Sequence, residues 1–175
     1  MDKSLQVQFD KLEASKRRML QQIAAWPAAQ RMRKPSAEMW SATQVIDHIA
    51  KVEGGILQTV RGNMRAPHAI GREDRIGNFI VRCVLRSPMR VKMPQEATGI
   101  VPADNIGTDA ALAAWGAARA GWLKMLERAP AAVIHRGVFA HPRGGWMSLP
   151  DTVSFLRLHH DHHRAQLQRI KKALG

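Results

Sequence analysis

The spacing of apolar residues constrains this fold more than any other feature of the sequence. Apolar side chains recur every three or four positions along four long segments, which is the periodicity of one face of an α-helix. Strand-like alternation is almost absent, and a chain of 175 residues has the length of one domain. The pattern therefore predicts an all-α four-helix bundle, with residues 1–175 forming a single domain. The predicted helices cover roughly residues 3–25, 41–62, 108–128 and 148–174.

Residues at the helix ends support these limits. Ser41 followed by Gln44 has the pattern of a capping box, in which each side chain bonds to the backbone N–H of the other residue. Ser148 with Asp151 has a similar pattern at the start of the last helix. The two glycines at positions 54–55 lower the helix propensity of the second helix. We expect them to mark close packing or a bend rather than a break.

The connection between the second and third helices, residues 63–107, is too long for a simple turn and indicates a functional or crossing segment. A short amphipathic helix is expected over residues 76–84. Beyond it, Pro88, Pro94 and Pro102 indicate an extended loop. This segment would shape any substrate pocket of the bundle.

Charge and cysteine content restrict the partners and the compartment. The chain has 27 Lys and Arg against 14 Asp and Glu, a net charge of +13, yet the basic residues are scattered and no nucleic-acid-binding motif is present. Specific nucleic-acid binding is therefore not expected. The single cysteine, Cys83, lies in an apolar run and predicts a buried structural thiol. Without disulfides, a signal peptide or a long apolar run, we expect a cytoplasmic protein with no membrane span.

Arg119 interrupts the apolar stripe of the third predicted helix. In the first interpretation its stem packs on the neighbouring tryptophans while its head reaches water. In the second it is a buried cation that binds an anionic ligand.

A histidine cluster in the last helix carries the strongest chemical signal. His159 and His163 are one helical turn apart, so their rings lie on the same, inward face. Two buried imidazoles are costly unless their nitrogens are used, and the i,i+4 spacing lets both bind one divalent metal ion. His48, on the inner face of the second helix, is the best third ligand. Three ligands with an open position are typical of catalytic metal sites.

Two other interpretations of these histidines stay open, a structural role and a different choice of ligand. A core histidine such as His48 is commonly a hydrogen-bonded packing residue. Spacing alone does not exclude His160 as a ligand in place of a neighbour. The remaining candidates, His68, His135 and His141, lie in connections and are weaker.

Three stretches resemble the DinB-like superfamily, also called the DinB/YfiT group. They are WSATQVIDHI at 40–49, HPRGGWMSL at 141–149 and HHDHHRAQL at 159–167. The resemblance implies a DinB-like four-helix bundle with a long crossover connection, frequent homodimers, and a metal on His48, His159 and His163. The tryptophan-bearing helices could supply the face of such a dimer. The metal in the family varies among zinc, nickel, iron and manganese.

Some members of that superfamily are metal-dependent hydrolases or thiol transferases, and one branch includes maleylpyruvate isomerases. The first functional hypothesis is therefore a metal-dependent thiol transferase or hydrolase acting on a small molecule. Arg136 and Arg143 are candidates to hold an anionic low-molecular-weight thiol or a carboxylate substrate. The alternative is a non-catalytic metal- or ligand-binding module of a stress response.

Overall fold

The computed structural model describes residues 1–87 and 98–175. Their regular structure consists of six α-helices, two 3₁₀ turns and one antiparallel hairpin. The helices are α1 (Lys3–Ala24), α2 (Ala28–Met32), α3 (Ala42–Asn63), α4 (Arg72–Arg86), α5 (Thr108–Glu127) and α6 (Leu149–Leu174), the 3₁₀ turns are Thr98–Ile100 and Ala131–Val133, and the strands are β1 (Phe139–His141) and β2 (Gly145–Met147).

The four long helices form the predicted bundle. α3 packs mainly against α5, α1 packs mainly against α6, and α3 also contacts α6. Both predicted caps are present: the Ser41 hydroxyl accepts from the Gln44 N–H at 3.1 Å, and the Ser148 hydroxyl accepts from the Asp151 N–H at 3.3 Å. In the described residues, no helix is long and apolar enough to cross a membrane.

The bundle has two apolar clusters separated by a polar layer. One cluster contains Leu5, Phe9 and Trp122, and the other contains Met19 and Trp115. Each long helix carries buried polar residues at or next to the junction of the two clusters. These residues are Ser15 on α1, Glu53 on α3, Arg119 on α5, and His160 and His163 on α6.

The crossover between α3 and α5 contains α4, which packs on α6 and on β2. Asp74 fixes this contact, because its carboxylate accepts from the N–H groups of Gly71 and Trp146, both at 2.8 Å. The Asn78 side-chain amide donates to the Trp146 carbonyl at 2.9 Å. α4 is longer than the helix predicted over 76–84. Pro102 lies in the described part of the loop, whereas Pro88 and Pro94 lie outside the described residues.

The expectation that Cys83 is buried is wrong. α4 turns the side that bears Asn78 and Val81 toward the body of the protein, so Cys83 is exposed on the opposite side. Ile76, Phe79 and Ile80 share that outward side and are more than half exposed, at 61%, 66% and 53%. The hydrophobic periodicity correctly predicted a helix, but hydrogen bonds of polar residues determine which side faces inward.

One further expectation needs correction. A Cβ on either Gly54 or Gly55 would meet nothing within 4 Å, so close packing does not account for these glycines, and α3 continues through them. Trp115 and Trp122 are both fully buried inside the chain. The indoles of these two residues therefore do not lie on the outer surface of α5, and a dimer face on the tryptophan-bearing helices stays a prediction.

Candidate metal centre

The structure brings His48, His159 and His163 together. One ring nitrogen from each lies within 4.8 Å of the other two, and the Nε2 atoms of His159 and His163 are 3.0 Å apart. The ring centroids are 4.4 to 5.3 Å from one another. The helical turn between His159 and His163 explains their pairing, and the contact of α3 with α6 brings His48 to them.

Backbone and side-chain acceptors fix the orientation of two of the rings. The Nδ1 atom of His48 donates to the Ile100 carbonyl at 2.8 Å. The Nδ1 atom of His163 donates to the Gln166 side-chain oxygen at 2.7 Å. A neutral imidazole with its proton on Nδ1 keeps a lone pair on Nε2. Both rings therefore offer Nε2 as a ligand atom.

Burial keeps these imidazoles neutral. It lowers the pKa of His48, and it lowers the pKa of His159 and His163 well below 6.5. Charge on any one of the three rings would further lower the pKa of its neighbours. Neutral imidazole is the form that binds metal ions.

These residues fit a divalent metal ion. Imidazole nitrogens bind zinc at about 2.0–2.1 Å, so ligand nitrogens separated by a few ångströms can share one ion. The 3.0 Å separation of the His159 and His163 Nε2 atoms needs either a shared proton or a cation between them. The Nδ1 atom of His159 is buried and has no hydrogen-bond partner among the described residues. Because the His163 Nε2 offers a lone pair, His159 would carry its proton on Nε2 and donate it to His163, and a bound metal ion would take the place of that proton.

The walls of the site are aromatic on two sides. The Trp40 ring lies 4.9 Å from the His48 ring, and the Phe155 ring stacks at 5.9 Å on the His159 ring. His48 and His163 are almost fully buried, whereas His159 stays partly exposed. Solvent therefore reaches the group past His159.

The crossover closes the site near His48. In addition to the Ile100 carbonyl, the Ala103 N–H donates to the Asp47 carboxylate at 2.8 Å, and the Lys51 ammonium donates to the Val101 carbonyl at 2.8 Å. The end of the long connection is thus tied to the first turns of α3. Part of residues 63–107 does shape the surroundings of the histidine group.

His160 has a different environment from its neighbours. It is fully buried, and its Nε2 atom donates to the Glu53 carboxylate at 2.7 Å. Glu53 also accepts from the Trp115 indole at 2.7 Å and from the Arg119 Nε at 3.1 Å. His160 therefore belongs to the polar layer and is not among the grouped ligand atoms.

Neither interpretation of Arg119 was correct as a whole. Its head does not reach water, since the residue is 4% exposed. It is a buried cation, as the second interpretation requires, but its anionic partners are Glu53 and Glu13 of the same chain.

The two predicted cofactor-binding arginines lie away from the histidine group. Arg136 is exposed and donates to the Pro67 carbonyl at 3.3 Å. Arg143 is exposed on the hairpin, where its charge adds to burial in lowering the pKa of His141 to about 4. In the described part of the chain, neither guanidinium contacts His48, His159 or His163.

Sequence reasoning missed two residues of this site. Gln166 shares the inward face of α6 with His163, so its i+3 spacing was an available signal. The Ile100 carbonyl could not have been found, because any residue type supplies the same backbone oxygen. Glu53 was also missed, although a carboxylate among the apolar residues of α3 suggests a buried partner.

Comparisons with known proteins agree with this architecture. Residues 11–167 match the model of the DinB superfamily. The fold is similar to that of YfiT from Bacillus subtilis, with a TM-score of 0.56, 15% sequence identity, and coverage of 100% of this chain and 90% of that chain. YfiT is described as a "probable metal-dependent hydrolase with an unusual four-helix bundle topology". No protein in a search of curated proteins gives a significant match. The family match covers most of the chain, and the four-helix bundle with its crossover agrees with it. This chain belongs to the DinB superfamily.

Proposed function

We propose that this chain is a metal-dependent enzyme whose divalent ion is held by His48, His159 and His163. One observation carries the proposal: three neutral imidazoles from two helices, two of them almost fully buried, direct nitrogens toward a common point. The group of candidate ligands found in the described residues has three members, which leaves a coordination position for water or substrate.

A divalent ion held there would lower the pKa of a bound water or thiol and so supply a nucleophile near neutral pH. The chain's own residues would orient and shield the reacting groups. Ile100 and Gln166 hold the rings of His48 and His163 in place through their Nδ1 protons. Trp40 and Phe155 exclude bulk water from two sides, which strengthens electrostatic interactions inside the site.

The proposed reaction class is hydrolysis or transfer of a low-molecular-weight thiol, with zinc, nickel, iron or manganese as the metal. The description of YfiT favours hydrolysis. Assays of ester hydrolysis and of thiol conjugation to an electrophile, each with metal-loaded and metal-depleted protein, distinguish the two. Activity that does not depend on the metal in either assay would contradict the proposal.

Arg143 and Arg136 remain proposed contacts for an anionic thiol or carboxylate. Arg143 lies two residues after His141, whose ring contacts Phe155, and the Phe155 ring stacks on His159, which supports Arg143 as a candidate. Arg143→Gln should raise the KM for an anionic substrate without changing kcat, because it would remove binding and not chemistry. Arg136→Gln provides the parallel test at the second position.

Metal content provides the direct test of the site. Protein purified without a His tag should hold about one divalent ion per chain by elemental analysis, and His163→Ala should lower this content by at least about tenfold. His162→Ala is the matched control, because it removes the adjacent imidazole, which lies outside the candidate group. Circular dichroism verifies that each variant keeps its helices. Unchanged metal content in a folded His163→Ala protein would disprove the assignment.

A further inference from the structure

A second polar feature lies on the flank of α6, in the groove between this helix and the end of α4. The groove has a volume of about 420 Å³, and its described lining includes four arginines. Asp161 is the one acidic residue in this described lining. The arginines are Arg86, Arg157, Arg164 and Arg169.

The carboxylate in this groove is already engaged. Asp161 accepts from the Arg157 guanidinium at 2.8 Å and from the Ser15 hydroxyl at 3.3 Å. Arg18 approaches the same carboxylate at 3.9 Å. Asp161 therefore has little capacity left to neutralise the other arginines of the groove.

Three guanidinium groups in the groove have no counter-charge among the residues that the structure describes. Over residues 1–87 and 98–175, Arg86, Arg164 and Arg169 make no hydrogen bond and no ion pair. Arg164 and Arg169 are nevertheless half-buried. Partly desolvated cations that share a groove repel one another, so the arrangement is unfavourable until an anion enters.

A fourth donor in the groove also lacks a partner. The Nε atom of Arg157 is buried, and it has no acceptor among the described residues. Buried N–H groups in folded proteins are almost always bonded to protein, water or a ligand. Arg157 lines the same groove as the three unpaired charges, so the residue that bears this unpaired donor belongs to the same site.

We propose that this groove binds a small phosphate-bearing molecule through Arg86, Arg164 and Arg169. Guanidinium groups bind phosphate oxygens in pairs, and several of them together match a doubly charged phosphate. The volume lies within the range of small-molecule sites. A nucleic acid would need a long stripe of cations, which a single groove does not provide.

The groove is distinct from the candidate metal centre. His162 lines the groove, and its ring lies 5.4 Å from the His163 ring, so one histidine side chain separates the two. Occupation of the groove does not require that the three histidines hold a metal, and the proposal is tested independently of that centre.

Isothermal titration of the full chain with inorganic pyrophosphate, at 0.15 M NaCl, tests the proposal. We expect one site with a dissociation constant below about 100 µM. The double variant Arg164→Gln/Arg169→Gln should weaken binding by at least about tenfold, since hydrogen bonds to charged groups are among the stronger ones. The matched control is Arg33→Gln/Arg65→Gln, which removes two exposed charges elsewhere.

Three outcomes would overturn the proposal. The first is no measurable pyrophosphate binding by the unmodified chain. The second is an equal loss of affinity in the groove variant and the control, which would mean that net charge alone attracts the anion. The third is preferential binding of a 20-base-pair DNA duplex over pyrophosphate with the loss confined to the groove variant, which would make the groove a nucleic-acid contact. Thermal unfolding of each variant verifies that the chain remains folded.

Discussion

Gln166 decides which nitrogen His163 presents to the candidate metal. Its side-chain oxygen accepts the Nδ1 proton of His163 at 2.7 Å. Gln166→Leu removes this acceptor and lets the ring rotate or shift its proton. We expect metal affinity to fall about 10- to 100-fold, as it does when partners of ligating histidines are lost. Competition with a chromophoric chelator measures the change.

Gln168→Leu is the control for that experiment, because Gln168 is exposed on the same helix. It should leave the metal affinity unchanged. An equal loss in both variants would show that apolar substitution in α6, rather than the hydrogen bond, weakens the site.

Glu53 is the acceptor at the centre of the polar layer. It bonds to His160, Trp115 and Arg119 while almost fully buried. Glu53→Gln would leave the buried Arg119 charge with only Glu13, and we expect a loss of about 3 kcal/mol in the free energy of unfolding. Urea denaturation measures it. Glu13→Gln, whose carboxylate is 29% exposed, should cost less than about 1 kcal/mol.

The sequence reveals ligand side chains better than it reveals what orients them. His159 and His163 are recognisable because helical spacing alone places them on one face. His48 could only be a candidate, since its approach depends on how α3 packs on α6. The Arg119 partners lie on two other helices, and no pattern within α5 identifies them.

At the scale of elements, α4 approaches the hairpin so closely that a side chain does not fit between them. A Cβ on Gly77 would lie 2.8 Å from the Gly144 carbonyl oxygen. Gly77→Ala should therefore destabilise the protein by about 1–3 kcal/mol despite the higher helix propensity of alanine. Urea denaturation, with hydrogen exchange of α4, measures the effect.

Gly55→Ala is the matched helical substitution. A Cβ there meets nothing within 4 Å, so only the propensity gain of up to about 1 kcal/mol remains and the protein should become more stable. The two substitutions are chemically identical. If both substitutions stabilise the protein, α4 does not approach the hairpin as closely as described.

The outward side of α4 is where we would look for the expected homodimer. The large exposed apolar side chains of that helix are Ile76, Phe79 and Ile80. If this side forms the interface, Phe79→Gln should shift the chain from dimer to monomer in light scattering. An unchanged dimer would place the interface elsewhere, and a monomeric unmodified chain would contradict the expectation of a homodimer.

Helix limits were the most predictable part of the elements, because caps and prolines are local signals. The ends of α3 and α6 agree with their capping residues to within one or two positions. The side that α4 turns inward was not predictable. It depends on contacts of Asp74 and Asn78 with the distant Trp146.

For the whole molecule, buried histidines make stability depend on pH. Burial lowers the pKa of His141 from 6.5 to about 4 and lowers the pKa of His159 and of His163 well below 6.5. Between these values the unfolded chain binds protons that the folded chain does not, so folding stability falls as the pH falls from 6.5 toward 4. Each such group contributes up to about 1.4 kcal/mol per pH unit.

Glu53 extends this loss to lower pH. Burial opposes its ionisation, but the hydrogen bond from His160 and the charge of Arg119 outweigh burial and lower its pKa from 4.5 to about 2. Its contribution is complete above pH 4.5 and is lost as the pH falls toward 2. Urea unfolding of metal-free protein at pH 7, 6, 5 and 4 measures the profile. His141→Gln should flatten it, and no slope between pH 6.5 and 5 would contradict the argument.

The polar layer between the two apolar clusters has a consequence for how the helices are aligned. If one long helix slid by a turn, about 5.4 Å, it would keep many of its apolar contacts. The buried charge of Arg119 or Glu53 would, however, lose its opposite charge. Apolar side chains alone tolerate such slippage, whereas this layer penalises it on every long helix. His160, which bonds to Glu53 in this layer, directly follows the candidate ligand His159 on α6. The contacts that fix the helix register therefore adjoin the residues for which chemistry is proposed.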